Sequence, residues 1–327
     1  MLRPDLFWLC IFCIASSWQA EFVASLAQDE CAADDEECLA DNGVDDGGSS
    51  ECTDSHESCE EWAQVGECVN NPAYMLFNCK KSCGSCESPC VRFDDKPALE
   101  ANGYTSLFET AFENGKKMGY KPEIISKDPW LIVFDSLLTP DECDRVYEEA
   151  GTNFQRSGEL GSSSNGPMET QHRTSETSFC IEECHELEIV QSIRTKVFEL
   201  FNYQIPENNY EFLQLVRYGE GKYYREHHDS NEQYVEMPMG PRILTFFFYL
   251  NEVEEGGETS FPRLDVKVKP KKGRAVLWAN MRDDDIHRND LRTIHAALPV
   301  IKGFKKAANF WIYQYDYQTP WQVGCTG

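Results

Sequence analysis

Apolar residues are unevenly spaced along this chain, and their spacing divides it into segments. An apolar run from Leu6 to about Trp18 follows one basic residue, with small residues at Ser25 and Ala27. This order predicts a secretory signal over 1–27, cut near Ala27. The run is shorter than the ~20 residues that span a bilayer, so an uncleaved membrane anchor is the second reading. Between Cys90 and about Tyr120 no apolar period repeats, and 87–120 reads as a linker. A firmer pattern opens at Lys121-Pro-Glu-Ile-Ile, followed by a buried strand over 130–134. Thr139, Pro140 and Glu142 form a helix start: an N-cap, a proline in the first turn and a capping-box glutamate. A Gly/Ser-rich loop follows over 157–166. Leu187, Val190, Ile193, Val197 and Leu200 then make one stripe of a helix over 186–201.

Beyond that helix the period drops to two. Alternating or continuous apolar runs predict strands over 212–218, 242–250, 266–268, 275–278, 292–300 and 308–315, with breaks such as Gly256-Gly257. Short strands punctuated by Gly and Pro predict an antiparallel sandwich or barrel. The expected fold class is mainly β with flanking helices (α+β), a jelly-roll barrel with helices packed outside.

Charge and cysteine content add a compartment. The net charge is −26, and residues 28–61 hold fourteen Asp and Glu with no Lys or Arg. A solvated acidic linker over 28–51 accounts for that run, and the charge disfavours nucleic-acid binding by attraction. Fifteen cysteines are many for a reducing compartment and predict disulfides in the secretory pathway (endoplasmic reticulum lumen or Golgi) or outside the cell. Six of them fall within 52–86, a stretch too short to enclose a large apolar core without covalent staples. Spacing alone allows fifteen pairings of six cysteines. Of the others, Cys31 with Cys38 and Cys180 with Cys184 are candidate pairs. Cys90, Cys143 and Cys325 complete an odd set of seven, so at least one stays free or pairs between chains. A zinc site at Cys180-x3-Cys184 lacks a second pair nearby, which favours a disulfide.

The candidate chemistry lies in Tyr223-Tyr-Arg-Glu-His-His-Asp229 and in Thr293-Ile-His-Ala-Ala-Leu-Pro-Val300, whose His295 stands 66 residues after Asp229. Residues two apart on a strand face the same way, so His227 and Asp229 can reach one ion while His228 points elsewhere. With His295 they make two imidazoles and a carboxylate. This set suits one face of Fe(II) and leaves the other face open. Taken singly, His227 or His295 would more often be a surface histidine than a ligand.

Two resemblances extend this reading. Cys52-x-Asp54, Trp62-x3-Gly66-x-Cys68, Asn71-Pro72-x-Tyr74-Met75 and Cys79-x2-Ser82-Cys83-Gly84-x-Cys86 resemble the ShKT module of secreted proteins. The resemblance implies the pairs Cys52–Cys86, Cys59–Cys79 and Cys68–Cys83. Ala73-Tyr74 stands where the channel-blocking toxins of that family carry Lys-Tyr, so an accessory or substrate-docking role is expected here.

The second resemblance covers 121–321. Arg217-Tyr-Gly-Glu-Gly, Tyr224-x2-His-x-Asp229, Arg242-Ile-Leu-Thr, Tyr249-Leu-Asn-Glu-Val-Glu-Glu-Gly-Gly-Glu-Thr259, Phe261-Pro262, Pro270-Lys-Lys-Gly-Arg-Ala-Val-Leu-Trp278 and His295-Ala-Ala-Leu-Pro-Val-Ile-Lys-Gly-x-Lys305 resemble, in order and spacing, the prolyl 4-hydroxylases of the Fe(II)/2-oxoglutarate dioxygenase superfamily. It implies a double-stranded β-helix with Fe(II) held by His227, Asp229 and His295. Lys305 would pair with the distal carboxylate of 2-oxoglutarate, and Tyr218 and Thr259 would hydrogen-bond the same cosubstrate. Tyr224, Arg242 and Trp311 match positions lining the peptide groove, although core packing competes for the two aromatics. The implied reaction is that of procollagen-type enzymes. It hydroxylates peptidyl proline at C4 with O2 and 2-oxoglutarate, releases succinate and CO2, and uses ascorbate as reductant. The partner is then a proline-containing peptide or protein.

Two departures bear on peptide preference. Arg225-Glu226 replaces the usual proline before the first ligand, and Tyr313 replaces a histidine after the last-strand Trp-Ile. The charged insert over 282–290 either borders the groove or is a solvated loop. Two alternatives stand beside this reading: an oxygenase of another residue or a small molecule, and a secreted binding protein with an inactive catalytic fold. The complete ligand set and Lys305 argue against the latter.

Overall fold

The computed structural model describes residues 52–88, 90–92, 95–158 and 171–326. The signal segment, the acidic stretch with Cys31 and Cys38, and positions 159–166 of the Gly/Ser-rich loop lie outside them. Among the described residues no helix is long and apolar enough to cross a membrane.

Three short helices come first: α1 (Cys59–Gln64), α2 (Glu67–Asn70) and α3 (Pro72–Asn78). Disulfides Cys52–Cys86, Cys59–Cys79 and Cys68–Cys83 close them around a minimal core of Met75, Leu76 and the cystines. So few apolar side chains cannot hold three helices without those links. Two further disulfides join Cys180 to Cys184 and Cys90 to Cys325. Cys143 is the odd cysteine among the described residues; it is buried, and burial pushes its thiol up to about 11.

The stretch read as a linker contains α4 (Tyr104–Lys117), whose Tyr104, Leu107, Phe108 and Ala111 are buried. This corrects the expectation for 87–120. The stripe is masked by Asn114 and Gly115, a helix-weakening pair near its end. Gly115 sits there because the Phe134 ring occupies the space a Cβ would need.

There follow β1 (Pro122–Lys127), β2 (Trp130–Phe134), α5 (Pro140–Ala150), β3 (Gln155–Arg156), β4 (Glu176–Phe179), α6 (Glu188–Leu200), β5 (Gln214–Tyr218), β6 (Tyr224–His227) and β7 (Arg242–Tyr249). The chain ends with β8 (Glu255–Gly256), β9 (Thr259–Phe261), β10 (Val266–Val268), β11 (Ala275–Ala279), β12 (His295–Ala297), β13 (Val300–Lys302), β14 (Lys305–Tyr313) and α7 (Gln318–Gln322). Thr139 caps α5 as expected: its hydroxyl accepts from the Glu142 amide at 3.2 Å while the Glu142 carboxylate accepts from the Thr139 amide at 2.8 Å. Thr139→Ala is expected to cost about 1 kcal/mol, read as a lower denaturant midpoint at unchanged slope.

The major sheet runs β1-β2-β11-β7-β14-β5-β4-β3, and a minor sheet runs β10-β9-β12-β6, with antiparallel pairing throughout. β8 and β13 form a separate pair. The single strand expected over 292–300 is two, because the chain turns at Leu298-Pro299, and proline cannot donate to a ladder.

Strand alternation sorts the side chains. Leu244, Phe246 and Phe248 of β7 join Leu277, Phe310 and Ile312 in the core beneath α4, α5 and α6. Phe247 and Tyr249 face the minor sheet with Tyr218, Phe261 and Trp278. The helix side is mainly apolar, with Asn114 and Arg194 among its few buried polar side chains, and most of the polar chemistry collects between the sheets. In the Lys-Lys-Gly turn before β11, Gly273 has φ +84°, and a Cβ there would collide with the Leu138 carbonyl.

Candidate active site

His227 is the last residue of β6 and faces His295, the first residue of β12, across the ladder. Asp229 lies beyond the end of β6, in a bend, so the expected two-apart projection along one strand holds for His227 alone. The bend swings Asp229 back toward both rings. Its Oδ1 lies 3.8 Å from His227 Nε2 and 3.7 Å from His295 Nε2. One donor atom from each residue lies within 4.8 Å of the other two.

The rings are held in the orientation a metal needs. His227 Nδ1 donates to the Arg225 carbonyl at 2.7 Å, and His295 Nδ1 to the Thr293 carbonyl at 3.0 Å, which turns both Nε2 lone pairs toward Asp229. Tyr224 stacks on His227 with ring centroids 3.5 Å apart, and Trp278 meets His295 edge-on at 4.8 Å. Burial, then the neighbouring His295, holds His227 well below its ordinary pKa, and burial lowers that of His295. Both imidazoles are therefore neutral at pH 7. Burial alone pushes Asp229 up, but His295, His227 and the Thr245 hydroxyl hold it at about 2. Two neutral nitrogens and an ionised carboxylate are the donor set expected for Fe(II), so the residues present fit the ion.

Sequence reasoning missed the side chains that hold Asp229. Thr245 Oγ1 donates to Asp229 Oδ2 at 2.8 Å, and Asn280 Nδ2 donates to Thr245 Oγ1 at 2.9 Å; Thr245 and Asn280 are wholly buried. Arg242 Nη1 donates to the Asp229 carbonyl at 3.2 Å, its Nη2 pairs with buried Glu211 at 2.7 Å, and its Nε donates to the Tyr313 hydroxyl at 2.8 Å. Burial opposes the charge on Arg242, and Glu211 keeps it protonated. The polar Thr245 inside a run of Ile, Leu and Phe was the legible signal; Glu211 gave none. Thr245→Val keeps the volume and loses the hold on Asp229. Metal affinity should fall about 10- to 100-fold, read by metal titration, with the circular dichroism spectrum unchanged.

Lys305 opens β14 opposite Tyr218 and is fully buried. Its Nζ has no hydrogen-bond partner among the described residues and lies 5.1–5.4 Å from the ring centroids of Tyr218, Phe247 and Tyr249. A buried ammonium without a partner costs free energy unless an anion completes it. A carboxylate is the natural complement, and the Lys305 charge is felt at His295. Neighbouring Lys306 instead lies over the exterior Tyr147 ring.

A cleft of about 880 Å³ takes in His227, Asp229, His295, Tyr218, Thr259, Tyr224, Arg242 and Trp311. Thr259 is buried there, its hydroxyl accepting from Tyr249 at 2.7 Å. Trp311 lies beneath the Arg242 guanidinium at 4.0 Å. Tyr224 and Trp311 thus both pack and line the cleft. Of the charged insert, Asn289 reaches the cleft wall, while Arg282 pairs with Asp284 in solvent. His228, expected to point elsewhere, also borders the cleft, with its Nδ1 accepting from the Ser230 amide at 3.1 Å and its Nε2 3.4 Å from the Thr293 hydroxyl.

A profile of the 2OG-Fe(II) oxygenase superfamily matches residues 213–313, and one of ShK domain-like modules matches 51–86. The chain is 31% identical over 208 residues to prolyl 4-hydroxylase 1 of Arabidopsis thaliana, covering 59% of this chain and 72% of that one. It is also 31% identical over 192 residues to prolyl 4-hydroxylase subunit alpha-1 of Gallus gallus, covering 57% of this chain and 36% of that protein. Among solved structures, the viral collagen prolyl hydroxylase of Paramecium Bursaria Chlorella virus-1, in its 2OG complex, is 31% identical with a TM-score of 0.46, covering 58% of this chain and 98% of that one.

Proposed function

Since this chain belongs to the prolyl 4-hydroxylases, Fe(II)- and 2-oxoglutarate-dependent oxygenases, we propose that it is a procollagen-type enzyme of the secretory pathway and that His227, Asp229, His295 and Lys305 form its reaction centre. The observation that carries the assignment is a two-histidine, one-carboxylate cluster together with a fully buried lysine that has no hydrogen-bond partner among the described residues and lies against the inter-sheet rings of Tyr218, Phe247 and Tyr249. Residues 52–86 act as an accessory module. Residues 121–321 are the oxygenase domain, to which α4 belongs by packing. Residues 1–27 direct the chain into the oxidising compartment that five disulfides suit.

Iron and 2-oxoglutarate, when bound with O2, supply the oxidation that places a hydroxyl on proline C4; ascorbate serves as reductant. The chain's part is to bind, orient and exclude. The carbonyls of Arg225 and Thr293 fix the tautomers of the two histidines, and Thr245 fixes the Asp229 rotamer. Lys305 sets how deep a dicarboxylate can enter, with the Tyr218 and Thr259 hydroxyls as flanking polar groups. The rings of Phe247, Phe261 and Trp278 keep water from that end. Arg242, Tyr224 and Trp311 present the peptide from the open side.

The test is incubation with Fe(II), 2-oxoglutarate and peptides of Xaa-Pro-Gly repeats. Succinate release matched by one added oxygen on proline, recovered as 4-hydroxyproline, is expected. Oxygen on another residue, or equal turnover with a proline-free peptide, overturns the assignment.

A further inference from the structure

Asp229 and His295 are held by two hydrogen-bonded arms that meet at Asn280, the residue that follows β11. Its side chain belongs to the first arm: Asn280 Nδ2 donates to Thr245 Oγ1 at 2.9 Å, and Thr245 Oγ1 donates to Asp229 Oδ2 at 2.8 Å. Its main chain belongs to the second. The Asn280 carbonyl accepts from the Asp290 amide at 2.8 Å, and the Asp290 carbonyl accepts from the Thr293 amide and hydroxyl at 3.0 and 2.9 Å. The Thr293 carbonyl then accepts from His295 Nδ1 at 3.0 Å. The Asn280 amide is itself fixed to the carbonyl of Ile243, on the same strand as Thr245, at 2.9 Å.

Asn280 and Thr245 are wholly buried, and Asn280 Oδ1 has no hydrogen-bond partner among the described residues. Burying an amide oxygen in this way costs stability, and a leucine of similar size would carry no such penalty. What a leucine lacks is the N–H end. A hydroxyl has one proton and two lone pairs. With the Asn280 N–H filling a lone pair of Thr245 Oγ1, the Thr245 proton is directed to Asp229 Oδ2. The opposite carboxylate oxygen, Oδ1, faces His227 Nε2 and His295 Nε2 at 3.8 and 3.7 Å.

We propose that Asn280 is a positioning residue of the reaction centre: by donating to Thr245 it commits that hydroxyl's proton to Asp229 Oδ2, so that Asp229 offers an ion Oδ1 alone. The inference rests on the functional reading above. Two imidazoles and one carboxylate oxygen leave an open face on the ion for cosubstrate and O2, and a carboxylate attached through both oxygens would take part of that face. Asn280 thus governs access to the ion without touching it. The same residue ties the turn that carries His295 to the strand that carries Thr245. The charged insert closes just beyond it: Met281 bridges Asn289, and the Arg282 amide donates to the Arg288 carbonyl at 2.8 Å. The insert is in turn docked on the start of α4, where Asp283 Oδ1 accepts from the Tyr104 amide at 3.0 Å.

The experiment titrates the metal-free full chain with Co(II), whose visible absorption bands respond to the ligands around the ion. Asn280→Leu keeps the volume and removes the donor. It is expected to weaken Co(II) binding about tenfold and to shift the bands in the same direction as Thr245→Val. Joined with Thr245→Val it should weaken binding no further, because the proton it directs is already gone. Titrated into the Co(II)-loaded chains, 2-oxoglutarate should bind both single variants less tightly than the parent. Asn280→Ala serves where the leucine variant does not fold, with the same outcomes expected. Tyr104→Phe is the control: it removes a buried hydroxyl that donates to the Ile243 carbonyl at 2.8 Å, and should lower the thermal midpoint with Co(II) affinity and bands as in the parent. Additive losses in the double variant, unchanged 2-oxoglutarate binding, or Asn280 variants with the parent's Co(II) affinity and bands overturn the inference. A folded parent that binds no Co(II) overturns the functional reading instead.

Discussion

Lys305→Ala weakens 2-oxoglutarate binding by about 10²- to 10³-fold, because one carboxylate is then buried without its partner at a cost of roughly 3–5 kcal/mol. Metal uptake persists, since Lys305 donates to none of the three ligands. Lys305→Arg does not rescue: the side chain is wholly enclosed, with the rings of Tyr218, Phe247 and Tyr249 around its ammonium, and a guanidinium overfills that space. The wild-type site also has a characteristic pH dependence. Burial pushes Lys305 down to about 7, against an upward pull from Glu258. The free site is then charged below that pH and neutral above it, and the dianionic cosubstrate binds the charged form. Affinity is full below about pH 7 and falls as pH rises, by about tenfold between pH 6 and pH 8. Calorimetry in two buffers of different ionisation enthalpy should register proton uptake on binding at pH 8 and little at pH 6.

The second large effect is at Asp229. Asp229→Ala removes the one anionic ligand and leaves Thr245 donating to nothing; turnover is expected to fall by about 10³-fold or more, beyond the 10- to 100-fold typical of losing a residue that merely orients a ligand. His295→Ala should do the same. Both variants should stay folded: His295 and Asp229 each sit in the cleft wall, while the apolar core beneath the helices lies on the other side of β7. Succinate release and the thermal midpoint, measured on the same preparations, separate loss of chemistry from loss of fold.

Much of this arrangement was legible because strand alternation ties sequence to space. In β14, Lys305, Asn309, Trp311 and Tyr313 fall on one parity, and Ala308, Phe310 and Ile312 on the other; the first set meets the cleft or Lys305 pocket, and the second the helices. The roles of Lys305 and Trp311 came from the resemblance instead, because the strand expected over 308–315 began after Lys305, whereas β14 spans Lys305–Tyr313. The α5 capping box was equally local. What could not be read depended on distant pairings or on a neighbour's shape. Glu211 finds Arg242, and Cys90 finds Cys325 across 235 residues, only once the sheet has formed. α4 was hidden by Gly115, a residue demanded by Phe134 rather than by the helix itself. β3 and β4 are short strands at the end of the sheet with mixed side chains, and the pairing of β4 with β5 and of β3 with β4 defines them more than their composition does.

Anaerobic titration of the full chain with Fe(II) tests the central claim most directly. The expected result is one ion bound per chain in the parent and none in folded Asp229→Ala under the same conditions. A folded parent that takes up no iron, or a variant that binds it as the parent does, would contradict the account.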